Sequence, residues 1–263
     1  MTPALPNAPL AEVEKDRQYV TALARGLQIL RCFSHERPEL TPQEIVRMTG
    51  LPQPTVWRLC HTLTKEGFIV CAGDNQRMGL GLPALALGYA ALVRQSLPKV
   101  ALPQMQALTD NHRLGTSLAA RDGLEMLYIQ RTHGDFVHMN DPVGARRPFA
   151  LAPTGWACFA GYNANERRDV LEALELQNPA EFPTLRAQLE HAAEHYAQHG
   201  FVTSIGVIHE HLNAVAVPIR SPRSGTLYGL SASGLAADWP KEKLMAIGAA
   251  LIPMAQQLAV AAD

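Results

Sequence analysis

Four cysteines in 263 residues, none of them in a C-x-x-C pair, leave no framework for a disulfide-stapled fold or a zinc knuckle. Cys32 and Cys60 fall among apolar helix positions, and with Cys71 and Cys158 they read as reduced, mostly buried thiols. No apolar run approaches the roughly 20 residues that span a bilayer. The opening MTPALPNAPLAEVEKDRQ is Pro-rich and acidic, where an export signal is basic and then apolar. These absences argue for a cytoplasmic protein with no membrane partner. A G-x-S-x-G elbow is missing too, and Cys158 has no base near it in sequence, which argues against nucleophilic catalysis. The chain also lacks an excess of either charge, its net value being −1. The balance is uneven: residues 17–80 carry eight Lys+Arg against five Asp+Glu, or +3, while 81–263 carry fourteen against sixteen, or −2. Phosphates would therefore be met by the N-terminal part.

What is present begins after residues 1–18, which show no period and read as a disordered arm. Leu23, Leu27, Leu30 and Phe33 recur at helical spacing. Thr41-Pro42-Gln43-Glu44 then combines a capping hydroxyl, a proline at the first helical position and a glutamate three residues on, and Gly50 closes that helix. Pro52 and Pro54 fit a third helix only in its first turn, where the missing amide hydrogens had no partner. Along it Val56, Leu59, Cys60 and Leu63 form one stripe, and Pro54, Arg58, His61, Thr62 and Lys65 gather opposite, with Trp57 on the flank. Two short helices joined by TGLP, followed by FIVCAGDNQRMGL as strand, turn and strand, make a winged helix-turn-helix. Gln53, Pro54, Thr55, Trp57 and Arg58 are candidates for base edges, and His61, Lys65 and Arg77 for phosphates, with Arg25 of the first helix beside them.

LPALALGYAALVRQSL is apolar on almost every side and needs cover, most economically from a second copy. Beyond it LPKVALPQMQALTDNH reads as a helix, TSLAARDG and LEMLYIQRT as paired strands, and FVHMND as another strand. TGWACFAGY, NERRDVLEALE and TLRAQLEHAAEHYAQHG read as helices, LNAVAVPIR and TLYGLSASG as strands, and the last segment as a helix. The class is α+β, of the small-molecule-sensor kind.

HAAEH at 191–195 matches an inverted zinc-protease motif, with His191 and His195 one turn apart and Glu194 as base. A metal-dependent hydrolase is thus the rival reading. The helix phase turns both histidines away from the anchored side of Leu185, Leu189, Ala193 and Tyr196, and a catalytic zinc needs a third ligand and a closed cavity. A solvated helix face accounts better for them, so no metal or cofactor is expected.

The chain resembles the IclR family of bacterial regulators through LARGLQILRCFS, LTPQEIVRMTGLPQPTVWRLCHTLTKEGFI, LPALALGYA, LPKVALPQMQALT, HGFVTSIGVIHEHLNAVAVPI and GLSASG, taken in that order. The resemblance implies a winged-helix DNA reader over 19–81, a dimerising linker helix over 82–98 and a GAF-like α/β effector-binding domain over 99–263. It implies as partners an inverted-repeat operator, a second copy or a dimer of dimers, and a small carboxylate effector. Carried over to this sequence, the pocket is lined by Phe136, Met139, Pro153, Thr154, Ser204, Leu212, Ala214, Ser231 and Ser233. Thr203 and Ser204 stand where many relatives have an acidic pair, and FALAPTGWA departs from the usual loop, so the ligand is not inherited from them. Ser231 and Ser233 share one face of a strand, which is either a pocket floor or a solvent face. No arginine or lysine is assigned to this pocket; the helix start at Thr154 and the hydroxyls would hold the anion.

Overall fold

The computed structural model describes residues 18–72, 77–134, 141–207 and 210–261. Most of the expected arm, the Gly73-Asp74-Asn75 turn and the FVHMND strand up to Asn140 lie outside that set, and so do the pocket candidates Phe136 and Met139. The chain divides into two compact units between Arg94 and Gln95.

In the first unit, α1 (Thr21–Leu30), α2 (Pro42–Thr49) and α3 (Gln53–Lys65) pack around Ile29, Leu40, Ile45, Val56, Cys60 and Ile69. The inward stripe of α1 is Gly26 and Ile29, continued by Cys32 and Phe33 beyond its end, and not Leu23 and Leu27, which are 62% and 47% exposed. Both stripes have helical spacing and apolar residues, so periodicity could not choose between them. The capping box at α2 forms: the Glu44 amide donates to Thr41 Oγ1 at 3.3 Å, and the Thr41 amide donates to Glu44 Oε2 at 2.7 Å. The Thr41 amide and hydroxyl, both donating to the Glu44 carboxylate, hold that carboxyl below its ordinary pKa. Gly50, at φ 67°, terminates α2 in the left-handed region. β2 (Ile69–Ala72) and β3 (Arg77–Leu80) are the expected wing strands, and a short β1 (Glu39–Leu40) that sequence reading missed adds to β3.

Next, α4 (Leu82–Val93) ends short of the expected 98, and α5 (Ser96–His112) begins the second unit. Pro98 explains the break: a single helix would need its amide hydrogen for the Arg94 carbonyl, and proline has none. Leu97 and Pro98 are buried within α5 instead.

The second unit is a six-stranded antiparallel sheet, ordered β6 (Arg146–Pro148), β5 (Glu125–Thr132), β4 (Gly115–Asp122), β9 (Leu227–Leu235), β8 (Leu212–Arg220) and β7 (Val202–Ile205). The edge strands β6 and β7 were not read from the sequence. Thr109 of α5 hydrogen-bonds Thr132, which bonds Thr116 in turn, at 2.5 and 2.6 Å, so the even-numbered face of β4 carries α5. α9 (Lys241–Ala261) packs along β8. By length and composition α9 could cross a bilayer, contrary to the expectation of no such run. It buries Leu244, Ile247, Leu251, Met254 and Leu258 in the unit's core.

The opposite face carries α6 (Pro153–Gly161), preceded by a short turn at Phe149–Leu151, with α7 (Ala164–Gln177) and α8 (Phe182–His199) around it. α6 is buried along its length and seated by glycines. A Cβ on Gly229 would press on the Thr154 backbone, and one on Gly161 would meet Pro218 and Leu227 at 2.8 and 3.0 Å. The helix thus runs antiparallel to β9, its C-terminal end over Leu227 and its N-terminal end over Gly229. Gly229→Ala is expected to lose about 1–3 kcal/mol of stability through overpacking, measured by denaturant unfolding, because the neighbour is backbone and cannot rotate away.

Candidate functional site

α3 displays the face that its sequence promised. Val56 and Cys60 are buried and Leu59 and Leu63 half-buried, while Gln53, Pro54, Arg58, His61, Thr62 and Lys65 are exposed and Trp57 is 45% exposed. Pro52 caps the helix and Pro54 sits in its first turn, so neither removes an intrahelical bond. Arg25 of α1 joins Thr55, Trp57, Arg58 and His61 along one open groove, and its buried Nε has no hydrogen-bond partner. The structure therefore brings Arg25, Thr55, Trp57, Arg58 and His61 together, leaves Gln53, Pro54 and Lys65 exposed elsewhere on α3, and places Arg77 on the wing. That guanidinium donates to the Glu39 carbonyl at 3.1 Å and belongs to the wing sheet.

On the second unit, register fixes which face carries the pocket candidates. Ser204, Ala214, Ser233 and Gly115 are consecutive cross-strand partners and form one row; Val202, Ala216, Ser231 and Ser117 form the next. Ser231 lies two residues from Gly229, so both rows share the α6 face. Ser231 is buried and Ser233 half-buried, which rules out the solvent-face alternative. α6 stops at Pro153, and beyond its N-terminus the sheet carries only glycine, alanine and serine in these rows on β4 and β9. The amides of Thr154 and Gly155 have no carbonyl to meet within the helix and open toward that floor. The Thr154 and Ser204 hydroxyls are buried without a hydrogen-bond partner, an arrangement that a polar ligand would complete. Leu212, at the start of β8, belongs to the same face by alternation.

The sequence reading missed a cation here. Ser117 pairs with Arg131, which places Arg131 on the α6 face. A register shift between Leu118 and Ala119 sets Tyr128 opposite Ala119, so Tyr128 and Arg131, three apart, point the same way. The Arg131 guanidinium lies 4.8 Å from the Tyr128 ring centroid, consistent with this. Its side chain is 4% exposed, and burial pushes its pKa below the ordinary arginine value. Strict alternation would have put it on the other face, and no signal in LEMLYIQRT marks the bulge.

The rival constellation does not assemble. His191 and Glu194 are exposed, and His195, half-buried, shares a hydrogen bond with the Phe201 carbonyl at 2.9 Å and packs on that ring. Among the described residues no three His, Cys, Asp or Glu side chains converge on a metal position. Cys158 is fully buried, which raises its thiol to about 12, and burial raises Cys60 to about 11. Cys71 departs from the expected burial and is exposed.

Comparison with known proteins gives two family matches: the IclR helix-turn-helix domain over residues 22–70 and the bacterial transcriptional regulator IclR C-terminal domain over 89–260. A crystal structure of an IclR family transcriptional regulator from Brucella abortus is 36% identical, covers 95% of each chain and superposes with a TM-score of 0.84. The HTH-type transcriptional regulator TsaQ1/TsaQ2 of Comamonas testosteroni is 28% identical over 91% of this chain and 87% of its own length. An IclR homologue from Microbacterium hydrocarbonoxydans, solved in complex with 4-hydroxybenzoate, is 25% identical over 92% of this chain and 97% of its own, with a TM-score of 0.69. These relatives are regulators and not enzymes. Brief alkylation of the native protein at pH 8, read by mass spectrometry, should mark Cys71 while Cys60 and Cys158 stay unlabelled until the chain is unfolded.

Proposed function

Because the chain belongs to the IclR family of bacterial transcriptional regulators, ligand-responsive proteins that read DNA through a helix-turn-helix, we propose that it binds an inverted repeat as a homodimer or a pair of dimers. Its effector is a small mono-carboxylate with an aromatic body, and the genes it controls serve the catabolism of such acids. Residues 19–81 read the DNA and 99–263 take the effector, in the cytoplasm where the operator is. The observation that carries the reading is the polar face of α3, which holds Trp57, Arg58, His61 and Lys65 clear of the core. A helix so displayed suits a major groove, with Gln53, Thr55, Trp57 and Arg58 at base edges and His61 and Lys65 nearer phosphates. The carboxylate is supported by the first-turn amides of α6 above Ser231 and Ser233, and its aromatic body by the 4-hydroxybenzoate held by the Microbacterium relative.

Assembly is supported by α4, which buries none of its residues: Leu82, Leu85, Leu87, Tyr89 and Val93 are all exposed, Leu82 at 80%. So much apolar surface on one helix calls for cover, and a second copy supplies it with the two-fold symmetry of an inverted repeat. An effector that binds one arrangement of the dimer better than the other shifts the spacing of its two wings; only that difference in affinity drives regulation.

Gel shifts with the upstream region of its own gene test the DNA reading. Arg58→Ala should cost about 1–3 kcal/mol and relax sequence preference, while Lys65→Ala should weaken all sequences alike. An Arg58→Ala protein with unchanged affinity and selectivity contradicts the assignment. For assembly, sedimentation at micromolar concentration should give a dimer or larger for the wild type and a shift toward monomer for Leu85→Glu; a monomeric wild type refutes it.

A further inference from the structure

Among the described residues, two guanidiniums on this face, Arg131 and Arg147, stand beside one carboxylate, Asp141. Asp141 is buried and gives both carboxylate oxygens to Arg147, whose Nε and Nη2 donate at 2.8 and 2.6 Å. Arg131 is left with the Asp141 backbone carbonyl, to which Nη1 donates, and with Oδ2 at 3.8 Å, beyond hydrogen-bond range. Its buried Nε has no partner. Among the described residues the two guanidiniums share one carboxylate, and the one more loosely held by it is the one removed from water. A buried guanidinium with an unsatisfied donor is retained at a cost to stability, and groups of that kind concentrate at sites that bind.

The position of Arg131 matters as much as its charge. Tyr128, Ala119 and Gly229 form a cross-strand row, with the Arg131 guanidinium over its Tyr128 end and the N-terminus of α6 over its Gly229 end. Two strand spacings separate those ends, roughly 10 Å. Ser117 and Ser231 lie in the next row between them, both with short hydroxyl side chains. The two electropositive elements therefore face one another across a small hydroxyl-lined interval.

We propose that Arg131 is the cation that holds the effector's carboxylate, bound across Ser117 and Ser231 from the N-terminus of α6, and that the Arg147–Asp141 pair is the brace that positions it. This rests on the reading of that face as the effector site, and it assigns the anion a partner that the helix and hydroxyls alone do not provide.

The test is calorimetric binding of 4-hydroxybenzoate and of its uncharged analogue 4-hydroxybenzamide to the full-length wild type, Arg131→Gln, Arg131→Lys and Ser231→Leu. Arg131→Gln should weaken the acid by about 10- to 100-fold and leave the amide unchanged, since only the charge-assisted bonds are lost. Arg131→Lys keeps the charge without the Nε donor and should fall between wild type and Gln, which preserves the test if the Gln variant does not fold. Equal affinity of wild type and Arg131→Gln for the acid, or equal loss for acid and amide, overturns the role of Arg131 while Ser231→Leu still reports the site. A wild type that binds neither compound, or acid binding unaffected by Ser231→Leu, overturns the reading of the face itself and the present inference with it.

Discussion

The seat of α6 on β9 is the contact on which the effector domain depends. Gly229 lets the backbone at Thr154 lie against the strand, and Gly161 lets the other end approach Pro218 and Leu227. A helix held that closely at both ends has little freedom to slide, so its N-terminal amides point at one place on the sheet. That place is floored by Gly115, Ser117, Ser231 and Ser233, where larger side chains would have continued the core. The helix is therefore divided along its length: its body fills the interior with Trp156, Cys158 and Phe159, and its first turn adjoins rows of short side chains, where the proposed effector would sit.

The same division recurs in the DNA-reading unit on a smaller scale. α3 spends Val56 and Cys60 on the core and leaves the rest of its circumference outside. Prolines at its start stiffen the turn that aims it, and the capping box of α2 fixes the helix before it. α4 takes the opposite course, with no residue buried within its own chain. An apolar helix without cover and a displayed polar helix in one unit are what a protein needs if pairing with itself and docking to DNA are to use separate surfaces.

The rival metal motif is instructive because its residues are real and their spacing is correct. His191 and His195 do sit one turn apart, yet His195 is committed to the Phe201 carbonyl, and among the described residues no third ligand joins them. Spacing along a helix sets which residues are adjacent, whereas a metal site needs ligands from other elements converging on the same point.

What the sequence by itself determined is everything that rests on local chemistry. The capping box at Thr41 and Glu44, the glycine stop at Gly50, the prolines before α3, the amphipathic phase of Arg58, His61 and Lys65, and the long alternating strands β4, β8 and β9 are legible because each needs only neighbours a few residues away. Where two apolar stripes competed on α1, the tertiary core chose Ile29 over Leu23. The short strands β1, β6 and β7 escaped notice since two to four residues carry no period, and only a partner strand makes them strands. The break between α4 and α5 was read a few residues late, at 98 and not at Arg94, because the sequence before Pro98 continues to suit a helix. Arg131 was decided by tertiary structure alone. One bulge between Leu118 and Ala119 turns it to the ligand face beside Tyr128, and a bulge is a property of two strands in register, which no single strand's alternation records.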